Sequence, residues 1–319
     1  MLVGIARLAA QSPTLETKSR VEYFSLESRS ILNRCSSPRM PFAWTINPYR
    51  GCEFGCQYCY ARYTHEFLEL RDGREFEEKI YAKDRAAEIL RVELRRRAEG
   101  SIAIGTSTDP YQPAERRFGV TRGILEVLAS ERGRSLSITT KSDLIRRDVD
   151  LLRAVARANV LHLNITITTT DAGLARKLEP RAPRPDLRLE AVSELARAGL
   201  SVGVFLNPLL PGITDGIANL DAVATASAKA GARYLGGGIL FLQPCAQKVF
   251  FPFLDREFPH LSERYRQRFA RNPYLRGPYA ESIRNRVARI RARHSLAASP
   301  IDYEPELPTA SQLLLSFRP

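Results

Sequence analysis

Apolar runs and helix-forming segments alternate along the middle of this chain, and that rhythm restricts its fold more than any other feature. SIAIGT (101–106), SLSITT (135–140), LHLNITIT (161–168), SVGVFLN (201–207) and RYLGGGILFL (233–242) read as strands. Between them, KDRAAEILRVELRRRA (83–98), TRGILEVLASE (121–131), RRDVDLLRAVARA (146–158), RLEAVSELARAG (188–199) and IANLDAVATASAKAG (217–231) read as helices with one apolar face. An opening strand near 43–47 brings the pattern to about six β-then-α units. Strands joined by helices pair in parallel, because the chain must cross back over the sheet before the next strand can run the same way. No Gly-x-Gly-x-x-Gly follows the first strand, which disfavours a dinucleotide-binding domain.

Each apolar run turns polar, or breaks at Gly or Pro, at its C-terminal end: GTSTDP, TTKSD, TTTD, NPLLPG and QPC. In a barrel of parallel strands the ligand site lies at that end. The run HLNITIT also alternates, with Leu163, Ile165 and Ile167 on one face and His162, Asn164, Thr166 and Thr168 on the other. Such alternation suits an edge strand with one wet face, or a barrel whose interior holds a polar ligand.

The rhythm divides the chain into residues 1–40, mixed, polar and expected to be irregular, a core at 41–245, and a C-terminal extension at 246–319. Prolines at 252, 259, 273 and 278 are expected to break the extension into short pieces before a helix, ESIRNRVARIRARHSL. The net charge is +13, and only seven of the 48 basic residues are Lys. From Arg256 to His294 there are eleven Arg against three Glu, interleaved with Phe258, Tyr265, Phe269, Tyr274 and Tyr279. That stretch reads either as a nucleic-acid surface or as the solvated face of a helical tail. The opening MLVGIARLAAQS is interrupted by Arg7, and no run approaches the roughly 18 apolar residues of a membrane span. Neither a signal peptide nor a membrane segment is expected.

Three of the five cysteines, Cys52, Cys56 and Cys59, fall in NPYRGCEFGCQYCYAR (47–62), just after the opening strand. Clustering of this kind fits a metal site in a reducing cytoplasm better than a disulfide framework. A structural zinc wants four closed ligands, with Cys35 or His65 available as the fourth. An iron–sulfur cluster also usually takes four Cys. Held by three, a four-iron cluster keeps one iron open, which suits a substrate that must coordinate there.

Cys-x-x-x-Cys-x-x-Cys, with Tyr58 before the last Cys, resembles the signature of the radical S-adenosylmethionine superfamily. MPFAWTINPYRGC, GTSTDPYQPAE, TKSDLIRRDVDLL, LEPRAPRP and PLLPGITD resemble the branch grouped with spore photoproduct lyase. The resemblance implies an α/β fold, a partial six-unit (β/α) barrel with an N-terminal and a helical C-terminal extension. It implies a [4Fe-4S] cluster on Cys52, Cys56 and Cys59, with the fourth iron chelated by the methionyl amine and carboxylate of S-adenosylmethionine. Reductive cleavage then yields a 5′-deoxyadenosyl radical that abstracts a substrate hydrogen, chemistry carried by the cofactor. Tyr58 would lie near the adenine, Thr106, Ser107, Thr108 and Asp109 at the methionyl amine, and Lys141 at the carboxylate. Asn164 and Thr166 would meet the carboxylate or the ribose, and Gly236, Gly237 and Gly238 would admit the adenine.

One departure is visible. Spore photoproduct lyase itself uses a hydrogen-donor cysteine in a Cys-Thr-Ser-Asp stretch, and the corresponding Thr106-Ser107-Thr108-Asp109 has no thiol. Spore photoproduct lyase activity is therefore not expected, and Cys245 is the candidate donor from another direction. The partners expected are a low-potential electron donor, ferredoxin or flavodoxin, and a nucleic acid. The cytoplasm is the expected compartment. The alternative is a non-enzymatic zinc or electron-transfer iron–sulfur module, whose fourth ligand would be Cys35 or His65. No Ser-His-Asp arrangement or Gly-x-Ser-x-Gly elbow suggests a hydrolase.

Overall fold

The computed structural model describes residues 2–305 except Ser19, Arg39, Arg71, Arg97 and Ala98; the last part of the C-terminal extension, 306–319, lies outside the described residues. Its strands are β1 (Thr14–Lys18), β2 (Val21–Ser25), β3 (Asn33–Arg34), β4 (Trp44–Ile46), β5 (Tyr49–Arg50), β6 (Lys79–Ala82), β7 (Ile102–Ile104), β8 (Ser135–Thr140), β9 (Val160–Thr166), β10 (Ser201–Phe205) and β11 (Leu235–Gly236).

The principal sheet runs β11-β10-β9-β8-β7-β4-β3. From β4 to β11 every pairing is parallel, and β3 closes one edge antiparallel to β4. Helices Val120–Ala129, Val149–Ala158, Pro185–Arg197 and Ile217–Lys229 are the crossovers, each within a few residues of its expected position. Both faces of the central strands are covered, so Leu136, Ile138, Leu161, Leu163, Ile165, Val202 and Val204 are almost fully buried. Burial on both sides takes the polar side chains of β9, His162, Asn164 and Thr166, out of water along with the apolar ones.

Residues 1–40 differ from expectation. A helix at Gly4–Ala10 leads into β1 and β2, which form a second sheet in the order β1-β2-β6-β5. The partner of β2 is β6, supplied by a distant stretch of sequence, and every residue of β1 is exposed. A strand with no buried face carries no hydrophobic period to read. Pro252 also departs from expectation, since the helix Pro244–Glu257 runs through it. Pro259 and Pro278 instead open helices (Pro259–Phe269 and Pro278–Arg293), where the missing N–H costs nothing.

The C-terminal extension covers the free edge of β11. Leu235 N donates to Ala297 O at 3.0 Å and Ala297 N to Arg233 O at 3.1 Å, occupying groups that would otherwise template aggregation. Beyond it, Tyr303 Oη accepts from Leu161 N at 2.9 Å, and Asp302 meets His162 Nε2 at 3.0 Å. His162 Nδ1 in turn lies 3.0 Å from Ser201 Oγ, so a Ser-His-Asp line exists after all. Ser201 is 4% exposed at the start of β10, the end of the sheet opposite the polar loops, so the line works as a tether.

Inside the sheet, Gly203 is required by a neighbour. A Cβ there would stand 2.2 Å from the Tyr234 ring, whose hydroxyl lies 2.9 Å from Leu163 O and 2.8 Å from Asn164 Oδ1. Gly203→Ala is expected to cost about 1–3 kcal/mol through overpacking, seen as a lower urea midpoint at unchanged slope. No helix among the described residues is long and apolar enough to cross a membrane.

Candidate active site

The loop carrying Cys52, Cys56 and Cys59 leaves β5 and lies over the C-terminal ends of the parallel strands. Gly51 starts it at φ 81°, where a Cβ would meet Lys79 O at 2.7 Å, so only glycine fits. The loop backbone is then tied to several elements. Cys52 N donates to Phe76 O at 2.9 Å, Glu53 N to Gln112 Oε1 at 3.0 Å and Gln57 N to Leu178 O at 2.9 Å. Thr108 Oγ1 donates to Gly51 O at 2.6 Å and Gln112 Nε2 to the same oxygen at 3.0 Å.

Cys52 and Cys56 are buried and Cys59 is partly so. Burial drives the Cys52 thiol well above its ordinary pKa, and Asp109, Cys56 and Cys59 add to the effect. Burial likewise pushes Cys56 up to about 12 and raises Cys59. Three thiols crowded out of water stay protonated unless a cation takes the charge, which is what a metal does for its thiolates. Among the described residues no three His, Cys, Asp or Glu side chains are placed to ligate one metal ion. In a cluster each thiolate binds a separate iron, so the thiols need not meet at one point. The donor set fits a cluster.

Several expected cofactor residues gather beside these thiols. Lys141 Nζ sits 5.8 Å from the centre of the Tyr58 ring. Burial works against its charge, but Cys56 and Glu179 outweigh that and raise its pKa. Asp109 accepts from Tyr111 N at 2.9 Å, Thr140 Oγ1 at 2.6 Å and Lys141 N at 2.7 Å, so its carboxylate locks the ends of β7 and β8 together. Thr106 bonds the Asn47 amide at 3.1 Å, and Ser107 N donates to Asn47 Oδ1 at 2.7 Å. Thr108, Asp109 and Thr106 thus spend hydrogen bonds on the loop's frame. Asn164 lies deeper in β9, its amide donating to Ile138 O at 3.2 Å and its Oδ1 taken by Tyr234. Thr166 is buried with its carbonyl accepting from Arg188 at 3.0 Å. Gly236 and Gly238 make room for Phe205 and Asn207 of the neighbouring strand, at 2.8 Å and 3.0 Å from a Cβ there.

The alternative fourth ligands face elsewhere. Cys35 N bonds Ala43 O at 2.8 Å, at the start of β4, whereas the cysteine loop follows its other end. His65 Nε2 lies 3.1 Å from Lys79 O and its ring packs edge-on against Phe76. Cys245, in the first turn of Pro244–Glu257, lies with Sγ 3.9 Å from Tyr60 O. It lines a small cleft beside the loop with Arg62, Glu66, Asp72 and Lys248.

Glu179 and Arg188 emerge only in three dimensions. Both are 1% exposed and paired at 2.6 Å. Tyr58 Oη donates to Glu179 Oε1, and Arg188 also donates to Pro183 O at 2.7 Å. Burial alone would raise the Glu179 pKa, but Arg188 and Lys141 reverse it and hold the carboxylate ionised. Glu179 lies in LEPRAPRP, yet nothing in that spacing announces a buried pair.

Beside the loop, Tyr274 stacks on Phe241 at 4.3 Å between centroids, Phe241 meets Tyr60 at 5.9 Å, and Tyr60 meets Tyr63 at 6.4 Å. Tyr60 and Tyr274 are 38% and 39% exposed. Lys248, Arg271 and Arg276 are exposed nearby in sequence and make no ion pair with a described residue.

Two outcomes follow from these burials. Arg188→Met, which strands the Glu179 charge, is expected to cost about 3–5 kcal/mol in denaturant unfolding, part of it regained by adding Glu179→Leu. Burial pulls the His65 imidazole down to about 4. The unfolded chain therefore takes up its proton first as pH falls, and stability drains away between about 6.5 and 4 by up to roughly 3 kcal/mol. His65→Gln should flatten that part of the stability–pH curve.

Comparison with known proteins bears on the family and the fold. The model of the Radical SAM superfamily matches residues 46–220. An uncharacterized protein of Mycobacterium tuberculosis is 36% identical over 298 residues, 92% of this chain and 86% of the relative. One of Methanocaldococcus jannaschii is 27% identical over 197 residues, 62% of this chain and 71% of the relative. Among solved structures, spore photoproduct lyase with bound AdoMet and dinucleoside spore photoproduct superposes with a TM-score of 0.62 at 15% identity, over 85% of this chain and 79% of that one. Streptococcus suis SuiB bound to precursor peptide SuiA gives 0.50 at 14% identity, over 80% and 47%. These structural likenesses concern the fold.

Proposed function

Because the chain belongs to the radical S-adenosylmethionine superfamily, we propose that it is an enzyme holding a [4Fe-4S] cluster on Cys52, Cys56 and Cys59, beside bound S-adenosylmethionine. When bound, that pair supplies one-electron cleavage of the sulfonium to methionine and a 5′-deoxyadenosyl radical. The observation that carries the proposal is the burial of three thiols together, on a loop fastened across the strand ends, with Lys141 alongside. The sheet would curve as a partial six-unit (β/α) barrel around the cofactor.

The chain's own residues would bind, orient and exclude water. Lys141 would meet the cofactor carboxylate, its charge favoured by Cys56 and Glu179. Ser107, whose side chain is least committed among 106–109, would take the methionyl amine. Asp109 would fix Lys141 through its backbone N–H. Thr106, Thr108, Tyr58, Asn164 and Thr166 would hold the surrounding wall. A packed wall keeps unintended hydrogen donors away from a radical, which would otherwise react with them.

For the substrate we propose a nucleic acid. The row Tyr274, Phe241, Tyr60 and Tyr63 offers flat faces at the mouth, with Lys248, Arg271 and Arg276 to meet phosphates. Spore photoproduct lyase, of similar fold, was solved with a dinucleoside photoproduct. With no thiol in 106–109, the activity would differ from that lyase, and Cys245 is the remaining candidate donor. The cytoplasm and a ferredoxin or flavodoxin would meet the need for a low-potential electron.

Reconstituted anaerobically with iron and sulfide and supplied with dithionite and S-adenosylmethionine, the wild type should form 5′-deoxyadenosine, and Cys56→Ala should not. A wild type with a full cluster that neither binds nor cleaves S-adenosylmethionine would overturn the proposal. For the substrate, Tyr274→Ala should weaken binding of a labelled single-stranded oligonucleotide about 5- to 150-fold, the equivalent of roughly 1–3 kcal/mol for one stacked base. Equal anisotropy titrations for both proteins would leave the aromatic row without that role.

A further inference from the structure

A chain of charges, buried at its inner end, runs along the flank of the cysteine loop. Arg62, shortly after Cys59, is 3% exposed. Its guanidinium donates to Cys56 O at 2.9 Å, donates to Gly73 O, and pairs with Glu77 at 2.5 Å. One face of the group is covered by the Phe76 ring at 5.7 Å. Glu77 also pairs with Arg181 at 2.6 Å, and Arg181 N donates to Phe54 O at 3.1 Å. Gly55 lets these groups close in, for a Cβ there would stand 3.0 Å from Glu77 Oε2 and 3.3 Å from Arg181 Nε. Screening grows outward: the side chains of Arg62, Glu77 and Arg181 are 2%, 13% and 41% exposed.

We infer that Arg62 and Glu77 are positioning residues that set, with opposite sign, the reduction potential of a cluster held by the Cys52–Cys59 loop. The inference rests on the cluster assignment proposed above. Reduction adds one negative charge to the cluster. A buried cation bonded to the backbone of a ligand residue stabilises that charge and raises the potential; a carboxylate behind it lowers the potential. Water screens neither group well at such burial. Arg62 touches the loop itself and Glu77 touches Arg62, so removal of each charge should move the potential in opposite directions. Arg62 also fixes the shape of the loop between Cys56 and Cys59, because one rigid fork holds two backbone carbonyls and a carboxylate.

The test is a mediated redox titration of the anaerobically reconstituted full chain, followed by electron paramagnetic resonance without S-adenosylmethionine. Arg62→Gln should lower the midpoint by about 59 mV or more, a tenfold change in the one-electron equilibrium constant. Arg62→Lys, which keeps the charge, should fall by less, and Glu77→Gln should shift upward. Iron content and visible absorbance establish that each protein holds a full cluster. If Arg62→Gln loses its cluster, the upward shift of Glu77→Gln decides the matter. Full clusters with unmoved potentials, or shifts of one sign, would refute this inference while leaving the cluster assignment intact. A wild type that takes up no cluster would remove both.

Discussion

The pairing of Glu179 with Arg188 holds the candidate site together. Two full charges out of water are costly apart, and they persist because each is also hydrogen-bonded: Glu179 by Tyr58, Arg188 by the carbonyls of Thr166 and Pro183. Those partners belong to different parts of the chain. Tyr58 stands inside the cysteine loop, Thr166 ends β9, and Pro183 precedes the helix that crosses to β10. One ion pair therefore sets where the loop rests on the sheet. An apolar cluster would fill the same space without fixing a direction, whereas hydrogen bonds of defined geometry do.

Charge balance around the loop follows the same logic. Buried thiols resist ionisation, so a site that needs thiolates must bring positive charge to them. Lys141 stands on one side and Arg62 on the other, each tied down by a carboxylate, Asp109 through the Lys141 backbone and Glu77 directly. Such pairing holds the cations in place, and both carboxylates border the loop as well, Glu77 at Gly55 and Asp109 near Cys52.

The C-terminal extension contributes to fold and site alike. Its last described segment covers the edge of β11 and reaches His162 and the start of β9. Its middle brings Tyr274 onto Phe241, beside the loop. An arginine-rich tail that looks like a solvated face in one dimension adds, where Tyr274 docks, to an aromatic row beside the cysteine loop.

The amino-acid sequence by itself determined the repeating units and the spacing of the clustered thiols. Period and length place β8 at SLSITT and put the crossover helices within a few residues of where they lie, because burying both faces of a parallel sheet demands apolar runs of that length. The thiol spacing of Cys52, Cys56 and Cys59 is likewise local. Only the tertiary structure decided the second sheet, in which exposed β1 and distant β6 carry no local signal. It also decided the roles of Glu179, Arg188, Arg62 and Glu77, and it turned His65 and Cys35 away from the thiols. A charged residue reads as solvated in any single-sequence pattern. Its burial depends on a partner from another element, as Arg188 is for Glu179 and Arg62 for Glu77, and the two meet only when the chain is folded.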